Sequence, residues 1–347
     1  YLSDIEKYGI MYGVGKIVRR LIQMSIFAYG NKAKCEPKYN EDNFLVRKVG
    51  KYVVLMIADG NGSEPGNVDA GSLCTSLAVD WVAHGLMKAN GEEKDLTPGQ
   101  VGDVLNSALF GLSRVFISIN ALDDKYSSIY TSLSVAVIEE LTLDMICASI
   151  GNCEIHRVRD GKDEILNMIH SEAYKDFQNG NLTEDGWRES PKRGILYSAL
   201  GGFDEPSIDV FETTLQPDDI VYISSDGLFH VTNPQGILEE LFDHADDIPT
   251  AVDSVLEKAV DHKCPDNCSL IVGYVQNDVR GREPVSNTPV QRRSSNRSTG
   301  LSEARNASEH VGTVSTDNRR QPVESSRRES YQRQSSRPTR PSGNRRY

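Results

Sequence analysis

Acidic side chains stand at the ends of apolar segments, where they could bind divalent cations. Glu41 and Asp42 precede one apolar run, Asp59 ends the next, and Asp226 and Asp266 lie beside two later runs. A carboxylate at the end of a buried strand is poorly solvated and costly unless it is paired. Hard divalent cations prefer such carboxylates, together with carbonyl oxygens and water, although Asp-Gly and Asp-Asn also form ordinary turns. Four such places in one chain favour a metal site over four unrelated turns.

The elements that would carry these residues follow from the hydrophobic periodicity. In chain order we predict a β-hairpin at 44–49 and 52–58, helices at 70–88 and 98–120, an antiparallel meander at 129–139, 143–150 and 154–159, a polar surface excursion near the site at 163–195, a strand at 219–224, helices at 237–244 and 250–262, and a strand at 268–275. The run at 52–58 is apolar throughout, so it should be buried on both faces. The alternation of hairpins with helix pairs favours an α+β fold of antiparallel sheets covered by helices.

The two ends of the 347-residue chain differ in charge. Residues 279–347 hold fifteen Arg and six acidic side chains, a net charge of +9, so residues 1–278 must carry −21 to give the overall −12. A domain this acidic does not attract nucleic acid through its general field. The Arg- and Ser-rich tail cannot bury enough apolar surface to offset its chain entropy. We therefore predict an uncertain segment at 1–24, a globular domain at 25–278 and a disordered tail at 279–347.

Cysteine usage and hydropathy bear on the compartment. The six Cys make no C-x-x-C pair, which is typical of reduced cytosolic thiols. Cys264 and Cys268 could hold a metal if they share a helix face, but no second pair completes four ligands. No run of 18 apolar residues and no secretory signal are present, so we expect no membrane partner and a cytoplasmic location, with the nucleus as the alternative.

An ordered set of short motifs resembles the metal-dependent (PPM, type 2C-like) serine/threonine protein phosphatases. The acidic motifs are Asn40-Glu-Asp-Asn43, Ala58-Asp-Gly-Asn-Gly62, Ser224-Ser-Asp-Gly-Leu228 and Asp266-Asn267. The others, in matching order, are Thr131-Ser-Leu133, Gly151-Asn-Cys-Glu-Ile-His156, His170-Ser171, Leu200-Gly201 and Leu215-Gln-Pro-Asp-Asp219. The match covers roughly residues 25–275, and its strength comes from the order of the motifs rather than from any one of them.

The resemblance implies a four-layer α-β-β-α sandwich with two Mn²⁺ or Mg²⁺ ions between the sheet edges. By analogy, Asp59 bridges both ions and the Gly60 carbonyl binds one. Glu41, with Asp42 beside it, supports the second ion. Asp226 and Asp266 bind the first ion.

The activity that the resemblance implies is hydrolysis of phosphoserine and phosphothreonine in signalling. Two ions about 3.5–4 Å apart can clamp both oxygens of an in-line displacement and lower the pKa of a bound water, so that a hydroxide attacks at neutral pH. The expected partner is a phosphoprotein substrate, and the expected state is a monomer.

The chain departs from the family pattern around this centre. The Arg that usually precedes the Glu by four residues is Pro37 here, and Lys34 or Lys38 would have to hold the substrate phosphate. A Lys offers a point charge rather than a bidentate fork, so weaker substrate binding is expected. The Asp that helps to hold a third, weaker ion is Asn152, which lowers the charge of that site. The Asp expected before His170 is Ile169.

Two alternatives to the phosphatase remain open. One is a pseudophosphatase that binds metal or a phosphorylated partner without turnover, which the missing Arg and Asn152 favour. The other is a metal hydrolase of small phosphate esters. The function of the tail is a separate question. Ser295 and Ser330 follow basic residues, and these segments resemble sites for basophilic kinases. Phosphate there would weaken docking on the acidic domain, and a passive tail or an RNA-binding tail are the other hypotheses.

Overall fold

The computed structural model describes residues 24–35, 39–61, 69–90, 95–122 and 129–277. The strands in these ranges are β1 (Met24–Ala33), β2 (Asp42–Val49), β3 (Tyr52–Asn61), β4 (Tyr130–Glu139), β5 (Asp144–Ile150), β6 (Glu154–Arg159), β7 (Lys162–Ile165), β8 (Asp209–Thr214), β9 (Ile220–Ser224) and β10 (Cys268–Asn277). The helices are α1 (Ala70–Asn90), α2 (Pro98–Asn120), α3 (Glu172–Gln178), α4 (Glu184–Arg188), α5 (Pro234–Asp243) and α6 (Ile248–Asp261), with a 3-10 helix at Asp226–His230.

The strands form two antiparallel five-stranded sheets. The first sheet has the order β2-β3-β4-β5-β8 and the second the order β1-β10-β9-β6-β7. Helices α1 and α2 pack on the outer face of the first sheet, and α5 and α6 pack on the outer face of the second. This confirms the predicted α+β fold of two antiparallel sheets flanked by helices.

The alternation of side chains along β3 explains how the layers hold together. Val53, Leu55 and Ile57 point to the core between the sheets, whereas Val54 and Met56 pack against α1 and α2. All five are fully buried, as expected for a strand that is covered on both faces. At about 25 cal/mol per Å² of buried apolar surface, such strands are a main source of stability.

The predicted three-stranded meander is wrong at its third strand. β4 pairs with β5, but β6 pairs with β7 and β9 in the other sheet. The chain changes sheets at Gly151, whose φ is +96°. This left-handed conformation suits Gly, and a Cβ there would overlap the side chain of Ser132. The sequence marks this turn, but a turn alone does not tell whether the next strand returns to the same sheet.

The excursion predicted at 163–195 is more ordered than expected. It contains β7, α3 and α4, and it encloses a small hydrophobic cluster of Ile169, Ala173, Tyr174 and Trp187. Strands β1 and β8 were also missed. β8 alternates half-buried with exposed residues at the edge of its sheet, so it lacks the apolar run that signals a strand.

Some sequence predictions lie outside the described residues. These are the predictions for residues 1–23, for Pro37 and Lys38, and for the tail with Ser295 and Ser330. Among the helices that the structure does describe, none combines the length and apolar character needed to cross a membrane.

Candidate metal centre

The acidic residues meet where paired strands of both sheets end. Asp42 opens β2 and lies opposite Asp59 near the end of β3. Asp226 follows β9, and Asp266 precedes β10, which pairs antiparallel with β9. Because the end of one strand lies beside the start of its antiparallel partner, each sheet contributes two acidic positions to the same edge. We refer to Glu41, Asp42, Asp59, Asp226 and Asp266 as the acidic cluster.

Asp42 joins the two sheets at this edge. Its side chain is 1% exposed. Its Oδ2 accepts hydrogen bonds from Ser225 Oγ at 2.7 Å and from Ser269 Oγ at 2.8 Å. Both serines lie on the side of the second sheet. Ser225 directly follows β9, and Ser269 is within β10. The two hydroxyls therefore fix the orientation of a carboxylate that would otherwise be buried without partners.

Glu41 is positioned through its backbone. Its N–H donates to Asn267 Oδ1 at 2.8 Å, and its carbonyl accepts from Gly60 N at 3.3 Å. A Cβ on Gly60 would lie 2.8 Å from the Glu41 carbonyl oxygen, and a Cβ on Gly71 would overlap the same oxygen. Two glycines are thus required for the chain segments at Glu41, β3 and α1 to approach this closely.

Asp226 is held by an amide and lies near a guanidinium. Asn152 Nδ2 donates to Asp226 Oδ2 at 2.7 Å. The Oδ1 of Asn152 accepts from Ser132 Oγ at 2.7 Å. Arg193 Nη2 donates to the Asp226 backbone carbonyl at 3.2 Å. The third metal site near Asn152 stays a prediction.

Asp266 sits on the loop that leads into β10. Its Oδ1 accepts from the Asn267 N–H at 2.8 Å. A Cβ on Gly227 would overlap the Asn267 carbonyl oxygen, so the segment after β9 packs directly against this loop. The Gly that follows Asp226 is therefore needed for close approach rather than only for a turn.

Mutual burial raises the pKa values of these carboxyls. Burial raises the pKa of Asp42 to about 7, although the hydrogen bonds from Ser225 and Ser269 oppose the rise. Burial, followed by the charges of Asp42 and Asp226, raises the pKa of Asp59 well above its usual range. Burial also raises the pKa of Asp226, against the positive charge of Arg193. The cluster therefore has an excess of negative charge that a cation would relieve.

The donor set fits hard divalent ions. All candidate side-chain ligands are carboxylates, which suit Mg²⁺ and Mn²⁺. Among the described residues, no three of these carboxyl groups bring oxygens within 4.8 Å of one another. In their present positions, the carboxyl groups of the described residues therefore do not form a three-ligand cage for one ion.

Several of the other motif residues support the site rather than line it. His170 Nδ1 accepts from the Gly151 N–H at 3.1 Å and so fixes the turn between the sheets. Thr131 Oγ1 donates to the Asp59 carbonyl at 2.9 Å, and the Thr131 backbone bridges to Leu200. These residues explain why the motifs accompany the acidic positions without carrying chemistry themselves.

Two cations that the sequence did not point to lie near the site, and the roles predicted for Lys34 and Lys38 stay predictions. Lys34 is exposed beyond the end of β1, and Lys38 is outside the described residues. Lys32 Nζ donates to the Asp42 carbonyl and, at 3.3 Å, to Asn43 Oδ1. Arg193 is 5% exposed and contacts Asp226. Sequence reasoning missed Arg193 because it lies in a polar segment without periodicity, far along the chain from any acidic motif.

Comparisons with known proteins agree with this fold. No protein-family model matches the chain. A putative protein phosphatase 2C-type of Streptococcus pyogenes is 26% identical over 207 residues, covering 58% of this chain and 79% of the relative. The S. agalactiae serine/threonine phosphatase superposes with a TM-score of 0.61 at 20% identity, over 73% of this chain and 100% of that one.

A structure of the catalytic domain of the serine/threonine protein phosphatase PstP in complex with two manganese ions gives a TM-score of 0.56 at 17% identity. It covers 73% of this chain and 99% of that chain. In sequence the chain is similar to protein phosphatases of the 2C type, and in fold it is similar to serine/threonine phosphatases of known structure.

Proposed function

We propose that the chain is a metal-dependent protein phosphatase that hydrolyses phosphoserine and phosphothreonine in protein substrates. The observation that carries the proposal is the meeting of four aspartates from both sheets at one edge, where burial raises the pKa of three of them. A cluster of carboxylates that mutual repulsion disfavours is suited to ions rather than to structural support. The relatives named above are phosphatases by name.

Two Mn²⁺ or Mg²⁺ ions are the cofactors of this proposal. Asp59 would hold both ions, and the Gly60 carbonyl would hold one of them. Asp226 and Asp266 would hold the first ion. Glu41, with Asp42 beside it, would hold the second. Bound ions would supply an activated water and would neutralise the charge of the transferring phosphoryl group. The PstP structure with two manganese ions supports this assignment by analogy of fold.

The residues of the chain then have defined tasks. Ser225 and Ser269 hold the Asp42 carboxylate in one orientation, and Asn152 does the same for Asp226. Arg193 brings a positive charge to the Asp226 side of the cluster. We assign Arg193 as a positioning residue and as the candidate that compensates for the missing Arg at position 37, alongside Lys34 and Lys38.

The test is hydrolysis of a phosphothreonine peptide with Mn²⁺ and with chelator, by the wild type and by Asp59→Asn. We expect Mn²⁺-dependent turnover that falls by about 10²–10³-fold in the variant, because losing a shared ligand removes several kcal/mol of charge stabilisation. The matched control is Asp80→Asn, an exposed carboxylate on the solvent face of α1, which should leave kcat/KM unchanged. Turnover by Asp59→Asn at the wild-type rate contradicts the proposal.

The alternatives predict different results in the same assay. A pseudophosphatase binds Mn²⁺ in an Asp59-dependent way but shows no turnover, and the relatives named as phosphatases give this alternative no support. A hydrolase of small esters turns over p-nitrophenyl phosphate while leaving the phosphopeptide intact. Comparing the two substrates at equal Mn²⁺ concentrations separates all three readings.

A further inference from the structure

Three cysteine thiols from two distant parts of the chain meet beside the acidic cluster. Cys35 follows β1, Cys264 follows α6, and Cys268 is the first residue of β10. Ala33 at the end of β1 lies opposite Cys268 in the strand register, so the chain beyond it brings Cys35 alongside. We refer to Cys35, Cys264 and Cys268 as the thiol cluster.

The sulfur atoms are spaced as ligands of one ion would be. Cys264 Sγ lies 3.5 Å from Cys268 Sγ, and Cys35 Sγ lies 3.8 Å from Cys268 Sγ. All three sulfur atoms are within 4.8 Å of one another. Zinc binds thiolates at about 2.3 Å with tetrahedral angles, which places the sulfurs about 3.8 Å apart. The observed spacing therefore matches three corners of a zinc tetrahedron with little rearrangement.

The clustering is specific to these three thiols. Cys74 lies among the apolar residues between α1 and the first sheet, and Cys147 and Cys153 lie in the core between the sheets. Buried cysteines of that kind behave as small hydrophobic residues. Cys264 and Cys268 are buried as well, but Cys35 is only partly buried, which gives the cluster a side that solvent can reach.

We propose that the thiol cluster is a second metal site, selective for a soft divalent cation such as Zn²⁺. Each thiol releases its proton on becoming a ligand, and water on the Cys35 side occupies the fourth position. Soft thiolates select zinc, whereas the carboxylates of the acidic cluster select Mg²⁺ or Mn²⁺. On this proposal the chain has neighbouring sites whose ligands prefer two different classes of cation.

The site bears on the loop that carries Asp266. Cys264 and Cys268 flank this loop on both sides, and Cys264 Sγ also contacts the Gly227 carbonyl at 3.2 Å. An ion held by both thiols would clamp the loop against β1 and against the segment after Asp226. This positioning effect rests on the proposed function, but zinc binding itself does not.

The experiment measures zinc content and cobalt spectra on the full chain. Wild-type protein, reduced and loaded with Zn²⁺ in excess Mg²⁺, should retain one zinc ion per chain after desalting. Co²⁺ in place of zinc should give the intense near-ultraviolet absorption of a thiolate-cobalt bond. Cys35→Ala should lose both signals, because two thiols do not hold the ion through desalting, whereas Cys74→Ala should keep both.

Two further measurements make the outcome decisive. Asp59→Asn should keep the thiolate-cobalt absorption, which separates this site from the acidic cluster and from the fate of the proposed function. Cys35→Ala should have a wild-type circular dichroism spectrum and unfolding midpoint in chelator, so that its loss of zinc is not a loss of fold. The proposal is overturned if wild type retains no zinc, if Cys35→Ala retains as much as wild type, or if mass spectrometry of freshly purified protein finds a disulfide within the cluster.

Discussion

Asp42 shows how much one buried carboxylate depends on its neighbours. Two hydroxyl groups donate to the same oxygen, and they oppose the effect of burial on its pKa. The acidic residue itself could be picked out from the sequence, because it stands between a polar segment and an apolar strand. Its partners could not, since Ser225 and Ser269 lie far along the chain and only the folded sheets bring them to Asp42.

Replacing Ser225 with Ala tests this dependence. We expect the free energy of unfolding to fall by about 1–3 kcal/mol, because a buried carboxylate loses a donor, and Mn²⁺ affinity to fall because the carboxylate is less well oriented. The matched control is Ser224→Ala, because Ser224 Oγ is also buried but has no hydrogen-bond partner among the described residues. Urea denaturation and titration calorimetry would measure both quantities. Equal effects of the two substitutions would contradict this role of Ser225.

His156 predicts a pH dependence of stability. It is fully buried between Glu154 and Asp163, at 2.9 and 2.8 Å, and stacks on Tyr222. Burial lowers the pKa of His156, but the hydrogen bonds to Asp163 and Glu154 outweigh burial, so the pKa is raised overall. A raised folded-state pKa stabilises the fold fully below the unfolded pKa of about 6.5, and this stabilisation is lost as pH rises through the folded pKa.

The expected result is a free energy of unfolding that declines above pH 6.5 in wild type. His156→Phe removes that part of the decline, and at pH 6 it is less stable by about 2 kcal/mol, because the buried Glu154 and the partly buried Asp163 each lose a hydrogen-bond partner. His84→Gln, on the exposed face of α1, serves as the control and should follow the wild-type pH profile. Urea midpoints measured from pH 6 to pH 9 would show the difference.

At the scale of elements, the turn at Gly151 decides the topology. It combines a positive φ with contact to Ser132, so Gly151→Ala suffers both backbone strain and a collision. Gly161, in the β6–β7 turn, also has a positive φ, of +72°, but has open space around it. We expect Gly161→Ala to cost about 1–2 kcal/mol from the left-handed conformation alone and Gly151→Ala to cost about 3 kcal/mol or more. Chemical denaturation of both variants would test this difference, and equal losses would contradict it.

Elements with a strong periodic signal could be predicted from the sequence. The β2–β3 hairpin, helices α1 and α2, and strands β9 and β10 appear close to their predicted bounds, because long apolar patterns leave little choice of structure. β1 and β8 could not be predicted in the same way. They gain their stability by pairing with β10 and β5, and such distant partners override weak local preferences.

At the scale of the whole molecule, the tail and the domain have net charges of opposite sign, so the tail could act on the domain. Residues 24–277 contain the hydrophobic clusters of every layer, so we expect deletion of residues 279–347 to leave the unfolding midpoint unchanged. We also expect unchanged phosphopeptide turnover at physiological salt, where exposed charges are screened beyond about 8 Å. A difference in kcat/KM between the full chain and the truncated chain that appears at low salt and disappears at high salt would contradict the passive tail and favour docking.

Retention of the full chain, but not of the truncated chain, on immobilised RNA would favour the RNA-binding hypothesis.

The pairing of β1 with β10 also shapes how the protein is made. The first described strand lies beside the last, with Met24 opposite Asn277, so the second sheet cannot close until the ribosome has synthesised β10. Until then, the apolar residues of β1 lack their partner strand and are open to wrong contacts. Seventy residues of this chain follow Asn277, and at about 5–20 residues per second their synthesis takes about 4–14 s. For at least that interval the growing chain stays tethered to the ribosome, apart from freely diffusing copies, while β1 and β10 find each other.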